Sequence, residues 1–180
     1  MQSIEFTTDV SALSKVGFCV DNTEEHDDVK KALYSKLGDF LPPNAIVAPN
    51  SATTNISLLG KYMKRAELKS RVIGAHWLPL NAQMNSVELI RGLETSDETV
   101  ELTRKLLDMI GVYSTVVQKD VPGNISMRLL MPMINEACFM LYTASANTVQ
   151  EVDVALKLTG LMPAGPLEMA DHLGLDVCLW

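Results

Sequence analysis

YSTVVQKDVPGNISMRLL, residues Tyr113–Leu130, holds the point at which this chain changes character. Tyr113 to Gln118 is rich in β-branched and aromatic residues and reads as a strand. Pro122-Gly123 then punctuates the chain, and from Asn124 onward only helix signals follow. On the N-terminal side, short apolar runs of strand length alternate with helical segments. The strands are Val16–Val20 (VGFCV), Ala45–Ala48 (AIVA), Val72–Trp77 (VIGAHW) and Val87–Ile90 (VELI). Between them, Glu24–Leu37 is amphipathic, with Val29, Leu33 and Leu37 four apart, an acidic start that suits the helix dipole, and Gly38 and Pro42-Pro43 to stop it. Ile56–Met63 reads as a short helix. In Ser96–Ile110, Ser96 is the cap, Asp97 and Glu98 lie in the first turn, and Gly111 ends the helix. Such alternation predicts an α/β unit with a largely parallel sheet. On the C-terminal side, Asn124 is placed to cap a helix reaching about Ala146, bent at Pro132. Thr148–Leu158 opens with the capping box Thr148/Glu151, and a third helix starts at Pro166. The expected organisation is an α/β segment over 1–121, an all-helical segment over 122–180, and no strand beyond about Lys157.

Composition narrows the function. The chain has 180 residues, 47% hydrophobic and 21% charged, which fits a globular protein and not a disordered one. No uncharged apolar run reaches 18 residues. The most apolar stretch, Met127–Ala146, contains Arg128, Asn135 and Glu136 and reads as a buried helix. Fifteen Lys plus Arg against 22 Asp plus Glu give a net charge of -7, with no basic run. That is a poor match to nucleic acid. The opening MQSIEFTTDV has neither a basic n-region nor an apolar h-region, so a cytoplasmic location is expected. Cys19, Cys138 and Cys178 are scattered and read as free thiols, and His26, His76 and His172 stand alone, so no metal site is expected. The glycines are scattered too. No GxG occurs, although open α/β sheets bind nucleotides through a glycine-rich first turn.

Three strings together resemble the L-3-hydroxyacyl-CoA dehydrogenase family, which includes 3-hydroxybutyryl-CoA dehydrogenases: VELIRGLETSDETV (Val87–Val100), DVPGNISMRLLMPMINEA (Asp120–Ala137) and GPLEMADHLGLDV (Gly165–Val177). The resemblance covers nearly the whole chain. It implies a partial Rossmann-type, doubly wound sheet followed by a helical segment that dimerises, and NAD-dependent oxidation of a 3-hydroxyacyl-CoA to the 3-ketoacyl-CoA. It also implies that Ile4 lies roughly a third of the way along such an enzyme, with the first strand, its GxGxxG turn and an acidic ribose ligand upstream. The partners implied are an acyl-CoA or small hydroxy-acid substrate and a second copy of the chain, with no membrane or nucleic acid.

By the same resemblance, His76 in GAHW matches the catalytic histidine and Glu88 in VELI the glutamate that orients it. The chemistry needs such a pair: a base takes the hydroxyl proton while hydride leaves the same carbon, and a carboxylate on the other ring nitrogen fixes the tautomer. Glu25 matches an acid near the nicotinamide ribose and Lys30 a lysine near the cofactor. On residue chemistry alone, Glu25 is a helix N-terminal acid and Lys30 a solvated surface charge. Asn50 and Ser51 begin the substrate-binding run. That run departs from the family pattern at Ala52, where a hydroxyl is lost. Pro79 and Met127 likewise replace asparagines. Three lost polar contacts leave two alternatives beside the acyl-CoA enzyme: a non-catalytic, truncated homologue acting through oligomerisation, or a dehydrogenase of a small hydroxy acid such as gulonate.

Overall fold

The computed structural model describes residues 4–77 and 85–179. Pro79 therefore lies outside the described residues. The chain divides into two compact units, one made of residues up to Trp77 together with Asn85–Pro122, the other containing Gly123 onward.

In the first unit the elements run β1 (Phe18–Asp21), α1 (Asp27–Phe40), β2 (Ile46–Pro49), α2 (Ile56–Tyr62), α3 (Ala66–Lys69), β3 (Ile73–Trp77), β4 (Ser86–Arg91), α4 (Asp97–Met109) and β5 (Tyr113–Val117), after a 3-10 turn over Val10–Lys15. Strands β1 and β2 pair in parallel, as do β4 and β5, whereas β3 and β4 are antiparallel. A single parallel bridge, Val47 to Val72, joins β2 to β3. Each strand's two faces feed separate clusters, because successive side chains alternate across a strand. One holds Tyr34, Leu37, Val47, Ile56, Leu59 and Ile90 under α1 and α2; the other holds Ile46, Ala48, Ile73, Ala75, Leu89, Val100 and Leu107 against α4. Helices thus cover both faces, the doubly wound α/β arrangement. Gly74 has a packing reason: a β-carbon there would come within 2.9 Å of Ile90 and 3.0 Å of Ile56.

Two expected boundaries shift. Helix α1 starts at Asp27 and not Glu24, because the Asp21 carboxylate accepts from the Thr23 N–H and hydroxyl and holds the preceding residues in a turn. It also runs through Gly38 to Phe40. The stop is Leu41, which precedes Pro42 and is extended, with ψ 144. Its buried face carries Lys30, Tyr34 and Leu37, while Val29 is exposed. Helix α4 is capped by Ser96, whose hydroxyl accepts from Thr99 N–H at 3.1 Å, and Gly111 follows with φ +74.

The second unit holds α5 (Ser126–Tyr142), α6 (Val149–Leu158), α7 (Pro166–Leu173) and α8 (Leu175–Cys178). Among the described residues no strand follows Val117. Asn124 does not cap α5. It takes φ +51 directly after Gly123 at φ +78, a left-handed turn that asparagine tolerates, and the cap position of α5 falls to Ile125. Pro132 lies inside the helix without ending it. Thr148 and Glu151 form the full capping box of α6.

Asp153, buried on α6, accepts from the N–H groups of Leu167 (2.9 Å) and Glu168 (3.0 Å), the exposed donors of the first turn of α7. A β-carbon at Gly165 would collide with Asp153, so α7 can be gripped this closely only at a glycine. Asp153→Ala is expected to cost about 2–4 kcal/mol, the loss of two charge-assisted bonds and a cap. Asp153→Asn should lose less than half of that. Urea unfolding of the three proteins, followed by circular dichroism, reads the order.

Candidate active site

The chemistry-bearing side chains of the first unit gather where β1, β2 and β3 end. Open α/β sheets place their ligands at the carboxyl ends of their strands.

His76 lies one residue before the end of β3, and antiparallel register sets it directly opposite Glu88 on β4. Opposed residues share a face, so the two side chains must meet. His76 Nδ1 and Glu88 Oε2 are 3.1 Å apart, and both side chains are buried. Gly74 and Ile90 flank the pair on that face and the exposed Thr115 lies opposite Glu88 on β5; His76 and Glu88 are themselves buried, where a hydrogen bond is stronger than in water. A carboxylate accepts only. With Glu88 ionised, the contact therefore requires the proton on Nδ1; Nε2 carries no hydrogen bond among the described residues. Trp77 points to the opposite face and packs on the cluster with Ile73 and Leu89.

Asn50 follows β2. Its Oδ1 accepts from the Trp77 backbone N–H at 3.0 Å, and its Nδ2 donates to Asn22 Oδ1 at 2.9 Å. Ser51 is buried; its hydroxyl donates to Glu25 Oε2 at 2.9 Å and accepts from Thr54 N–H at 2.8 Å. Glu25 collects three further donors from the same loop: the Thr54 hydroxyl at 2.6 Å, the Thr53 hydroxyl at 3.1 Å and the Ala52 N–H at 3.3 Å. Every hydroxyl of the 51–54 run, on Ser51, Thr53 and Thr54, donates to Glu25.

Lys30 is not a solvated surface charge. Its side chain is fully buried, and its ammonium donates to Asp21 Oδ2 at 2.8 Å and to the Thr23 carbonyl at 3.1 Å. Burial pushes the Asp21 carboxyl up. The hydrogen bonds from Lys30 and Thr23, with the lysine's charge, outweigh it and hold the carboxyl below its ordinary range. Burial, with Asp21's charge added, also raises the Cys19 thiol and lifts the Tyr34 hydroxyl well above its usual value. Asp21, Asn22, Thr53 and Thr54 escaped sequence reasoning. Aspartate at the end of a strand beside a helix-borne lysine was the only local sign of the first of these.

The nicotinamide end of NAD is a fair chemical match to what is present. Glu25 is an acceptor suited to ribose hydroxyls, partly exposed to solvent through its loop partners. Lys30 reaches that end only through Asp21 and Thr23. Among the described residues no group of three or more His, Cys, Asp and Glu side chains is arranged to hold a metal ion, and no helix is long and apolar enough to cross a membrane.

Comparison with known proteins agrees over both units. Residues 1–121 match the model of the 3-hydroxyacyl-CoA dehydrogenase NAD binding domain, and residues 123–179 that of the 3-hydroxyacyl-CoA dehydrogenase C-terminal domain. The chain is 38% identical over 167 residues to a 3-hydroxybutyryl-CoA dehydrogenase of Bradyrhizobium diazoefficiens, covering 93% of this chain and 55% of that protein. It is 34% identical over 176 residues to a probable 3-hydroxybutyryl-CoA dehydrogenase of Deinococcus radiodurans, covering 98% of this chain and 62% of that one. The crystal structure of (S)-3-hydroxybutyryl-CoA dehydrogenase from Ralstonia eutropha superposes with a TM-score of 0.85 at 34% identity, covering 96% of this chain and 59% of that chain. The chain thus spans between half and two thirds of the length of these relatives.

Proposed function

The chain belongs to the 3-hydroxyacyl-CoA dehydrogenase family, and on that premise we propose that it supplies the proton-transfer half of an NAD-dependent oxidation of a 3-hydroxyacyl-CoA. The buried 3.1 Å contact between His76 and Glu88 carries the proposal. His76 Nε2 takes the proton from the substrate's 3-hydroxyl. The imidazolium so formed is stabilised through Nδ1–H by Glu88, which stays ionised. Bound NAD would supply the acceptor for the hydride that leaves the same carbon. Glu25 would hold the cofactor's ribose, and Lys30 fixes the turn that presents Glu25. Ser51 and its loop frame the substrate side. Residues 1–121 form the dinucleotide-binding part and 122–180 the helical part of such an enzyme, in the cytoplasm. The helical part pairs with a second copy; Leu129, Phe139 and Tyr142 of α5 are all exposed and apolar or aromatic, and a face of that kind asks for cover.

The 180 residues alone are expected to bind NADH poorly. They hold no GxG turn for the pyrophosphate. Polar contacts of about 0.5–1.5 kcal/mol each at the ribose cannot offset an association cost of at least about 4 kcal/mol. Calorimetric titration with NADH should show no low-micromolar binding; finding it would contradict the expectation. The function itself is tested by joining a relative's first βαβ unit ahead of Met1 and following NADH formation from 3-hydroxybutyryl-CoA. Turnover by the joined protein is the expected result. Turnover only after Ala52→Ser and Met127→Asn would mean that those two departures disable the site. Silence in both forms would overturn the proposal.

A further inference from the structure

We propose that Asn50 is a positioning residue for His76, a strut between strand ends. This rests on the His76–Glu88 assignment above. The reason lies in the sheet. Strands β2 and β3 share one backbone bridge, near their beginnings, where Val47 N–H donates to the Arg71 carbonyl at 2.9 Å. Towards their carboxyl ends β2 finishes at Pro49, which has no N–H to offer. A side chain takes over there. Asn50 Oδ1 accepts from Trp77 N–H at 3.0 Å, and this N–H belongs to the peptide that links His76 to Trp77.

The same residue is tied on its other side. Its backbone N–H donates to the Asp21 carbonyl at 2.9 Å and its Nδ2 donates to Asn22 Oδ1 at 2.9 Å. One residue therefore connects the ends of β1, β2 and β3. The Trp77 donor also fixes which way the Asn50 amide faces, since only its oxygen can accept. Holding the His76–Trp77 peptide plane fixes ψ of His76, and with it the direction from which the ring meets Glu88. Both ends of the amide are engaged, the oxygen by Trp77 N–H and the nitrogen by Asn22, so the side chain is held between the strand ends by the protein itself.

The test uses the full chain, labelled with nitrogen-15, at a pH where His76 is neutral. Long-range proton–nitrogen correlation reports the His76 tautomer, and amide exchange reports the Trp77 N–H. Wild type is expected to show the Nδ1–H tautomer. Asn50→Ala should give a mixture of tautomers and about tenfold faster Trp77 exchange. Asn50→Asp keeps an oxygen for Trp77 N–H but cannot donate to Asn22 Oδ1, so it should hold Trp77 exchange near wild type. Asn50→Ser replaces Asn50→Ala if the latter does not fold. An unmixed Nδ1–H tautomer in Asn50→Ala overturns the inference even if Trp77 exchange accelerates, because Asn50 is then only a structural tie. An Nε2–H tautomer in wild type overturns the His76–Glu88 assignment, and the inference with it.

Discussion

Lys30→Met is expected to destabilise the first unit by about 3–5 kcal/mol, because it leaves the Asp21 carboxylate buried without its counter-charge. Against a usual total of about 5–15 kcal/mol, that is enough to unfold a marginal domain. The stem of methionine fills much of the space of the lysine's, so packing contributes little to the loss. Asp21→Leu added to Lys30→Met should recover more than half of it, since a buried pair replaced as a whole by apolar groups costs little. The pH dependence gives a second check. Asp21 has a folded pKa below its unfolded value. Its contribution is therefore complete above the unfolded value, about 3.9, and is lost as the pH falls through the folded one. In Lys30→Met, burial is opposed only by the two bonds from Thr23, so the acid-side loss should flatten. Urea titrations of parent, single and double variants between pH 3 and pH 7 measure both effects, this range being on the order of the carboxylate pKa values. A single variant within about 1 kcal/mol of the parent, the measured worth of an ordinary surface pair, would contradict the account.

Lys30 also shows where sequence reasoning stops. Its partner lies nine residues away, across a turn, on a strand. Helical spacing favours the stripe Val29, Leu33, Leu37, yet the buried face turns toward Lys30 and Tyr34 because an ion pair decides it. Asp153 was hidden for the same reason, since its donors lie 14 and 15 residues on, at the start of another helix. Signals that act within one turn were legible: the Thr148/Glu151 box, the Ser96 cap, the left-handed Gly111. The α/β character was legible too, because periodicity does not depend on direction. Strand direction is another matter. Nothing in VELI marks it as antiparallel to VIGAHW, and that reversal is what puts Glu88 opposite His76. Residue chemistry alone suggested neither partner; the family resemblance brought them together as a pair, and the register supplies the physical reason. Asn124 misled for an opposite reason: its side chain suits a cap, but its backbone is used in a left-handed turn beside Gly123.

The second large effect concerns catalysis. His76→Gln in the joined protein is expected to lower kcat on 3-hydroxybutyryl-CoA by 10²- to 10⁴-fold, roughly the range for removing a positioned general base. Glutamine can still donate to Glu88, so the buried carboxylate keeps a partner and the fold is spared. At about 1.36 kcal/mol per decade, the loss corresponds to about 2.7–5.4 kcal/mol of transition-state stabilisation. NAD affinity should stay within about threefold, because the imidazole meets the reacting hydroxyl and not the dinucleotide. Glu88→Gln should fall between wild type and His76→Gln, since the ring survives but its tautomer is no longer fixed. The direct measurement is the initial rate of NADH formation at saturating NAD and 3-hydroxybutyryl-CoA, wild type against His76→Gln. A loss of 10²-fold or more is the predicted result; a loss of less than about tenfold, with NAD still bound, would contradict the assignment of His76 as the base.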